Sequence, residues 1–188
     1  MSQQSVFQPV VPEGFEWILP VDDADFEVVR SLDGTSRRAG WRPIPVRVLR
    51  ADEDGSTRRS ADIPWLGDHV LVLSCRGVGV LGEVLSRSGE LLPLECDDGE
   101  YWLFNALRVV DALDFEASEL VRFTGGRVLR IVHHEFIPQK LVDAEVFKLP
   151  EMLRGSLYAT DEFVTEFRSS GLLGTEFCPV WRAGGQRP

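Results

Sequence analysis

The sequence predicts an α+β fold, a single domain built on a twisted, mainly antiparallel sheet with a few short helices. Three observations carry that prediction. Short apolar segments such as IPVRVLR, YWLFNAL and TEFCPVW are rich in aromatic and β-branched residues and are bounded by Gly, Pro and acidic turns, as strands are. Two further segments space their apolar residues at helical intervals and carry capping residues at their ends. The length of 188 residues, with 44% hydrophobic and 10% aromatic content, is about one domain's worth of chain and supplies a core without disulfides.

In chain order, MSQQSVFQPVVPEG is polar and Pro-containing, which predicts a flexible tail over residues 1–13. The folded domain is then expected over 14–182, with a second polar tail over 183–188. FEWILPV reads as a strand stopped by Pro20, and Asp22, Asp23 and Asp25 as a solvated turn or a negatively charged helix start. IPVRVLR places Val46 and Val48 on one face and Arg47 on the other, and the tight turn Asp52–Gly55 ends it. That DEDG turn is faintly like a calcium loop, but it lacks both the D-x-D-x-D-G spacing and the closing Glu. VLVLSC is apolar enough for a strand or the start of a buried helix. RGVGVLGEVLSRSG follows, with Val78, Leu81, Val84 and Leu85 at helical spacing and Gly89 as its expected stop.

From Tyr101 onward the pattern predicts an antiparallel meander of short strands. A hairpin is expected around Gly125 and Gly126, with Val121, Phe123, Leu129 and Ile131 supplying a buried face. VFKLP is a short strand stopped by Pro150. SLYATDEFVTEFRSSGLLG is a strand leading into a helix capped by Thr160, carrying the Phe163/Phe167 pair and closed by Gly171.

Thirty acidic against twenty basic residues give a formal net charge of −10, which repels nucleic acid and anionic membranes and attracts a basic protein partner. The three cysteines, Cys75, Cys96 and Cys178, are odd in number and form no C-x-x-C pair, so a disulfide framework or zinc site is not indicated. Cys75 and Cys178 read as small core residues. With no basic-then-apolar leader and no stretch of membrane-spanning length, the expected location is the cytoplasm.

Catalytic readings find little support. His133 and His134 are strand neighbours and should point to opposite faces, so they converge poorly on one ion. His69 beside Asp68 lacks an accompanying nucleophile motif, and Cys75 has only Arg76 next to it as an activating cation. The sharpest alternative is a dinucleotide-binding oxidoreductase. Gly77, Gly79 and Gly82 spell G-x-G-x-x-G before a helix, with Glu95 placed as a ribose-binding acid. Against it, Pro93 interrupts ELLPLEC where a central parallel strand needs a donor, and hairpin signals dominate the remainder.

The order PWLGDH, GELLPL, EYWLFNALRVVDALD, SELVRFTGGRVLRI, VFKLP, a T-D-E-F helix and GLLGTEFCPVW resembles bacterial immunity-protein family eleven, from about Trp41 to Trp181. The resemblance implies an α+β antidote protein of a polymorphic-toxin locus that binds a cognate toxin encoded beside it. It also implies no enzyme activity, no cofactor and no metal. If that toxin acts on nucleic acid, its groove is basic and carboxylates in turns are the natural contacts: Asp52, Asp54, Asp97, Asp98, Glu100, Asp111, Asp114 and Glu116. Trp41, Trp65, Trp102 and Trp181 are the candidate aromatic anchors; Trp102, in a strand, reads more as core, and Trp65, between Pro64 and Leu66 in a loop-like segment, is the better candidate for exposure.

Overall fold

A computed structural model describes residues 4–185 and has the expected α+β class. Two sheets and a separate hairpin share three helices. The strands are β1 (Ser5–Val10), β2 (Trp17–Pro20), β3 (Ile44–Leu49), β4 (Leu71–Ser74), β5 (Gly89–Glu95) and β6 (Tyr101–Ala106). They continue with β7 (Glu119–Arg122), β8 (Val128–His133), β9 (Val146–Phe147), β10 (Tyr158–Thr160) and β11 (Glu176–Arg182). The helices are α1 (Asp23–Arg30), α2 (Cys75–Ser88) and α3 (Asp161–Ser170). One sheet runs β11-β1-β10-β9, the second runs β2-β3-β5-β6-β4, and β7 and β8 pair only with each other among the described residues. The meander expected from Tyr101 onward is therefore replaced, because those strands are shared among all three sheets.

The flexible tail expected through residue 13 is also corrected from residue 4 onward; residues 1–3, like 186–188 at the other end, lie outside the described residues. β1 is an interior strand, with Val6 opposite Thr160 on one side and Trp181 on the other. Val6 is fully buried and Phe7 nearly so, and this apolar pair anchors a strand whose other residues are Ser5, Gln8, Pro9 and Val10. Pro9 is tolerated because β10 pairs only with Val6 and Phe7, leaving Pro9 in a part of the strand paired on one side. At the other end Ala183 still donates its N–H to Gln4 at 2.8 Å, so the paired strands run on past residue 182.

Local chemistry explains the helices. Asp22 caps α1 by accepting from the Ala24 N–H, and Asp23 and Asp25 complement the positive end of the helix. The Ser74 hydroxyl accepts from the Gly77 N–H at 3.2 Å and starts α2, whose Leu81, Val84, Leu85 and Ser88 turn inward. α3 has Thr160 at the N-cap position, though its hydroxyl makes no capping bond, and ends at Gly171 in the left-handed region, φ 66°. Phe163 and Phe167 stack within α3, 6.4 Å apart, and both meet Phe177 of β11.

Gly89 does not stop α2 with a left-handed cap. Its backbone is extended and passes directly into β5. A Cβ there would stand 2.3 Å from the Asn105 carbonyl and 2.7 Å from the Phe104 ring, which makes this glycine a close-approach site between strands. Gly89→Ala is expected to destabilise the protein by roughly 1–3 kcal/mol through overpacking, read as a lower urea midpoint at unchanged slope.

Three apolar clusters make the core. Alternation along β6 sends Phe104 to the cluster beneath α2 and α3 and Leu103 to the cluster holding Val29 and Leu32 at the end of α1. The third cluster gathers Val6, Phe136, Phe147, Tyr158 and Trp181, whose rings meet mostly edge to face at 5.6–6.3 Å. Cys75 and Cys178 are exposed and contribute to none of these, contrary to expectation, since each occupies the outward position of its element.

Candidate functional site

The proposed contact carboxylates gather at two places. β3 and β5 are parallel neighbours, so the turns that follow them leave the same end of the five-stranded sheet. Asp52 and Asp54 lie in the first turn, and Asp97, Asp98 and Glu100 in the second. Arg50 joins the two, donating to Asp98 at 2.7 Å and lying 3.4 Å from Glu16. The hydrogen bond and charge of Asp98 raise the pKa of Arg50 further. Asp52 pairs with Arg58, which also lies over the Trp17 ring at 4.8 Å. Trp17, Asp52 and Arg58 line a cleft of about 490 Å³ with Val11 to Gly14.

Asp54 is held in its turn by Ser56, whose hydroxyl and N–H both donate to it and keep its pKa low. The DEDG segment is thus a self-bonded turn, with Gly55 at φ 83°. Asp97 and Glu100 are exposed, and neither is in an ion pair among the described residues. Trp65 lies at the same end, bridged to Trp17, with its carbonyl accepting from the Ile18 N–H. It is half-buried, as Trp41 and Trp102 are, so the exposure expected at Trp65 is only partial; its backbone is bound to the edge of β2.

The second group sits at the base of the β7–β8 hairpin. Asp111 is exposed and pairs with Lys140 at 2.9 Å. Asp114 accepts from the N–H groups of Glu116 and Ala117, which makes it a turn-capping residue, while Glu116 itself is exposed. Above them the hairpin departs from the sequence prediction. Val121 is 37% exposed, Phe123 48% and Leu129 47%, so of the expected apolar face only Ile131 is buried. Register irregularities after Glu119 and after Val121 shift the pairing, so the core-facing side chains become Leu120, Val128 and Ile131.

Around these surfaces lies a set of buried polar groups, most of them invisible to pattern reading. Lys148 of the VFKLP segment is wholly buried and donates to the Leu32 and Leu153 carbonyls at 3.0 and 2.9 Å. Burial lowers its pKa to about 8. A charged residue within an apolar run was the available signal. Glu90 is buried and accepts from Ser36, the Arg37 N–H and Asn105, tying the loop after α1 to the sheet. His134 is buried beside the Tyr158 hydroxyl at 3.1 Å and parallel to Phe136, and desolvation lowers its pKa to about 4. His133 lies instead 3.1 Å from Glu135, which accepts from the Trp181 indole N–H, so the adjacent imidazoles do diverge.

Other expected chemistry is not assembled. The Ser156 hydroxyl donates to Asp68, with His69 3.8 Å from the other oxygen of that carboxylate, so the histidine is not placed between serine and acid. Arg76, the cation nearest Cys75 in sequence, is engaged by Asp62 at 2.6 Å. Among the described residues no group of three His, Cys, Asp or Glu is arranged to hold a metal ion, and no helix is long and apolar enough to cross a membrane. Gly77, Gly79 and Gly82 lie inside α2, after its start, so they do not form the strand-to-helix turn of a pyrophosphate loop. Gly77 allows close packing on Asp62 and Leu73, where a Cβ would sit 3.2 Å away. Glu95 ends β5 but has no such loop to work with.

With the strand order and the hairpin base established, the YWLFNALRVVDALD and VFKLP segments can be set against known families. Residues 95–181 match the model of the Immunity protein family (Imm11). The match supports the immunity-family assignment drawn from those segments, and it spans just under half of the chain. The matched segment starts at the end of β5, includes β6 to β10 and α3, and closes at Trp181 in β11. Both hairpin strands, Lys148 and the carboxylates from Asp97 to Glu116 fall inside it, whereas β1 and Asp52, Asp54 and Trp65 fall outside. No curated protein matches the chain.

Proposed function

We propose that this chain is a bacterial immunity protein that binds and neutralises a cognate toxin domain encoded beside it, acting in the cytoplasm as a non-enzymatic inhibitor. The observation that carries the reading is the family match over residues 95–181, a segment that also bears exposed carboxylates in its turns. On this reading, the toxin has a basic, nuclease-like groove. Carboxylates in the turns at the end of the five-stranded sheet and at the hairpin base stand in for phosphate and exclude the substrate from that groove. A formal charge of −10 accelerates encounter with such a surface, and the acceleration is screened by salt.

The test is binding and inhibition of the neighbouring-gene toxin by the purified chain. A stoichiometric complex is expected, with an association rate that falls as salt rises. Asp97→Asn combined with Glu100→Gln and Glu116→Gln is expected to slow association about tenfold at low salt while leaving the melting temperature unchanged, because these groups make no ion pairs among the described residues. Absence of any complex, or full toxin activity at excess inhibitor, would overturn the proposal.

A further inference from the structure

The β7–β8 hairpin is a two-stranded sheet joined to neither of the others, and its outer side is unusually apolar. Phe115, Val121, Phe123, Leu129 and Val132 are each 37–48% exposed, a dense share of the large exposed apolar side chains among the described residues. Val121 and Val132 each adjoin an inward neighbour, Leu120 and Ile131, so pleating points them away from the core. Isolated exposed apolar residues are ordinary, but several on one short ribbon mark a contact surface.

The charge on the same ribbon indicates what covers it. Strands β7 and β8 and their turn carry Arg122, Arg127 and Arg130 against Glu119, on a chain that is otherwise strongly acidic. On the body of the protein Arg50, Arg58, Arg76 and Arg87 each meet a carboxylate, while others, such as Arg59 and Arg168, lie over aromatic rings. Among the described residues none of the three hairpin arginines meets a carboxylate. Arg122 lies over the Phe115 ring at 5.6 Å and Arg127 over Phe123 at 5.5 Å, which arrays guanidinium groups around aromatic anchors. Arg and aromatic residues with an apolar centre are the composition of protein-binding hot spots. Nucleic acid fits less well, since it offers no apolar counterpart and the nearby Asp111, Asp114 and Glu116 would repel its phosphates.

We infer that the outer face of the β7–β8 hairpin is a second docking surface for the toxin, one that takes an acidic, apolar patch flanking the basic groove. The inference rests on the immunity reading and adds to it a contact of opposite charge. Glu116, the free carboxylate at the hairpin base, places the two kinds of contact side by side, so one partner with adjoining basic and acidic surfaces satisfies both. Opposed charges of this kind fix the orientation of the complex and reject toxins with a different pattern.

The experiment measures toxin affinity for the wild-type chain, for Val121→Ser with Val132→Ser, and for Arg127→Glu with Arg130→Glu. The second pair changes only exposed charges and covers the case in which the first pair folds poorly. Each folded variant is expected to raise Kd at least tenfold at unchanged melting temperature. If wild type binds toxin and both variants bind equally well, the hairpin inference is overturned while the immunity reading stands. If wild type binds no toxin, both fall. Wild-type self-association that the variants abolish would assign the face to a second copy of this chain, and retardation of a short DNA duplex lost in the variants would assign it to nucleic acid; either result overturns the inference.

Discussion

A chain shortened to begin at Phe15 is expected to lose cooperative folding, although every residue that matches the immunity-family model would be retained. β1 fills the space between β10 and β11, so its removal leaves facing edges of two strands without ladder partners. It also removes Val6, fully buried in the aromatic cluster, and Phe7, packed in the cluster beneath α2 and α3. Burying such side chains contributes about 1.5–3 kcal/mol each. Together with the lost ladder, the deficit reaches the roughly 5–15 kcal/mol that stabilises a typical domain. Circular dichroism of the shortened chain should show no sharp thermal transition. A melt coincident with that of the full chain would mean that β1 contributes nothing to the fold.

The second large effect is acid sensitivity set by His134. Its folded pKa of about 4 lies below the ordinary value of 6.5, because burial opposes the charged form and the charge of His133 adds to that. The unfolded chain therefore binds a proton at this position across a range in which the folded chain does not. Stability is present above about pH 6.5 and is lost as pH falls towards about 4, by roughly 3 kcal/mol in total. His134 faces the Tyr158 hydroxyl, and Glu135 is occupied by His133 and Trp181, so no carboxylate is placed to stabilise an imidazolium. His134→Gln keeps a polar atom near Tyr158 and removes the titration. Urea midpoints of the two proteins should converge near pH 4 and diverge towards neutrality in favour of wild type. Parallel curves across that window would show that His134 does not titrate as its burial requires.

The elements that sequence reading located are those whose signal is local. β2 ends at Pro20, as its proline signalled, whereas β9 is shorter than the VFKLP signal, ending at Phe147 before Pro150 is reached. α3 was legible from its acidic first turn, the Phe163/Phe167 spacing and Gly171, all contained within eleven residues. The Gly125–Gly126 turn announced the hairpin. Its inward face was not legible, because a register irregularity displaces alternation by one residue and exchanges core for solvent. β1 was read as a tail because a strand paired on both sides can carry Ser, Gln and Pro when two apolar residues suffice to anchor it.

The candidate site divides the same way. Acidic residues in turns could be found in the sequence, but not that Asp52, Asp98 and Asp111 are occupied by Arg58, Arg50 and Lys140, which leaves Asp97, Glu100 and Glu116 as the freer charges. The two guanidinium groups of Arg122 and Arg127 beside exposed aromatic rings were likewise unreadable, since a hairpin with apolar residues on both faces does not declare which face is wet.

Sequence alone determined the α+β class, the acidic start and Gly171 stop of α3, the turn chemistry and the acidic character, because each depends on residues near one another in the chain or on composition. Only the tertiary structure decided which strands are neighbours, that β1 lies inside a sheet, that Lys148, Glu90 and His134 are buried, and that the hairpin presents its apolar face outward. These depend on contacts between residues far apart in sequence, where burial of one side chain is settled by what distant segments pack against it.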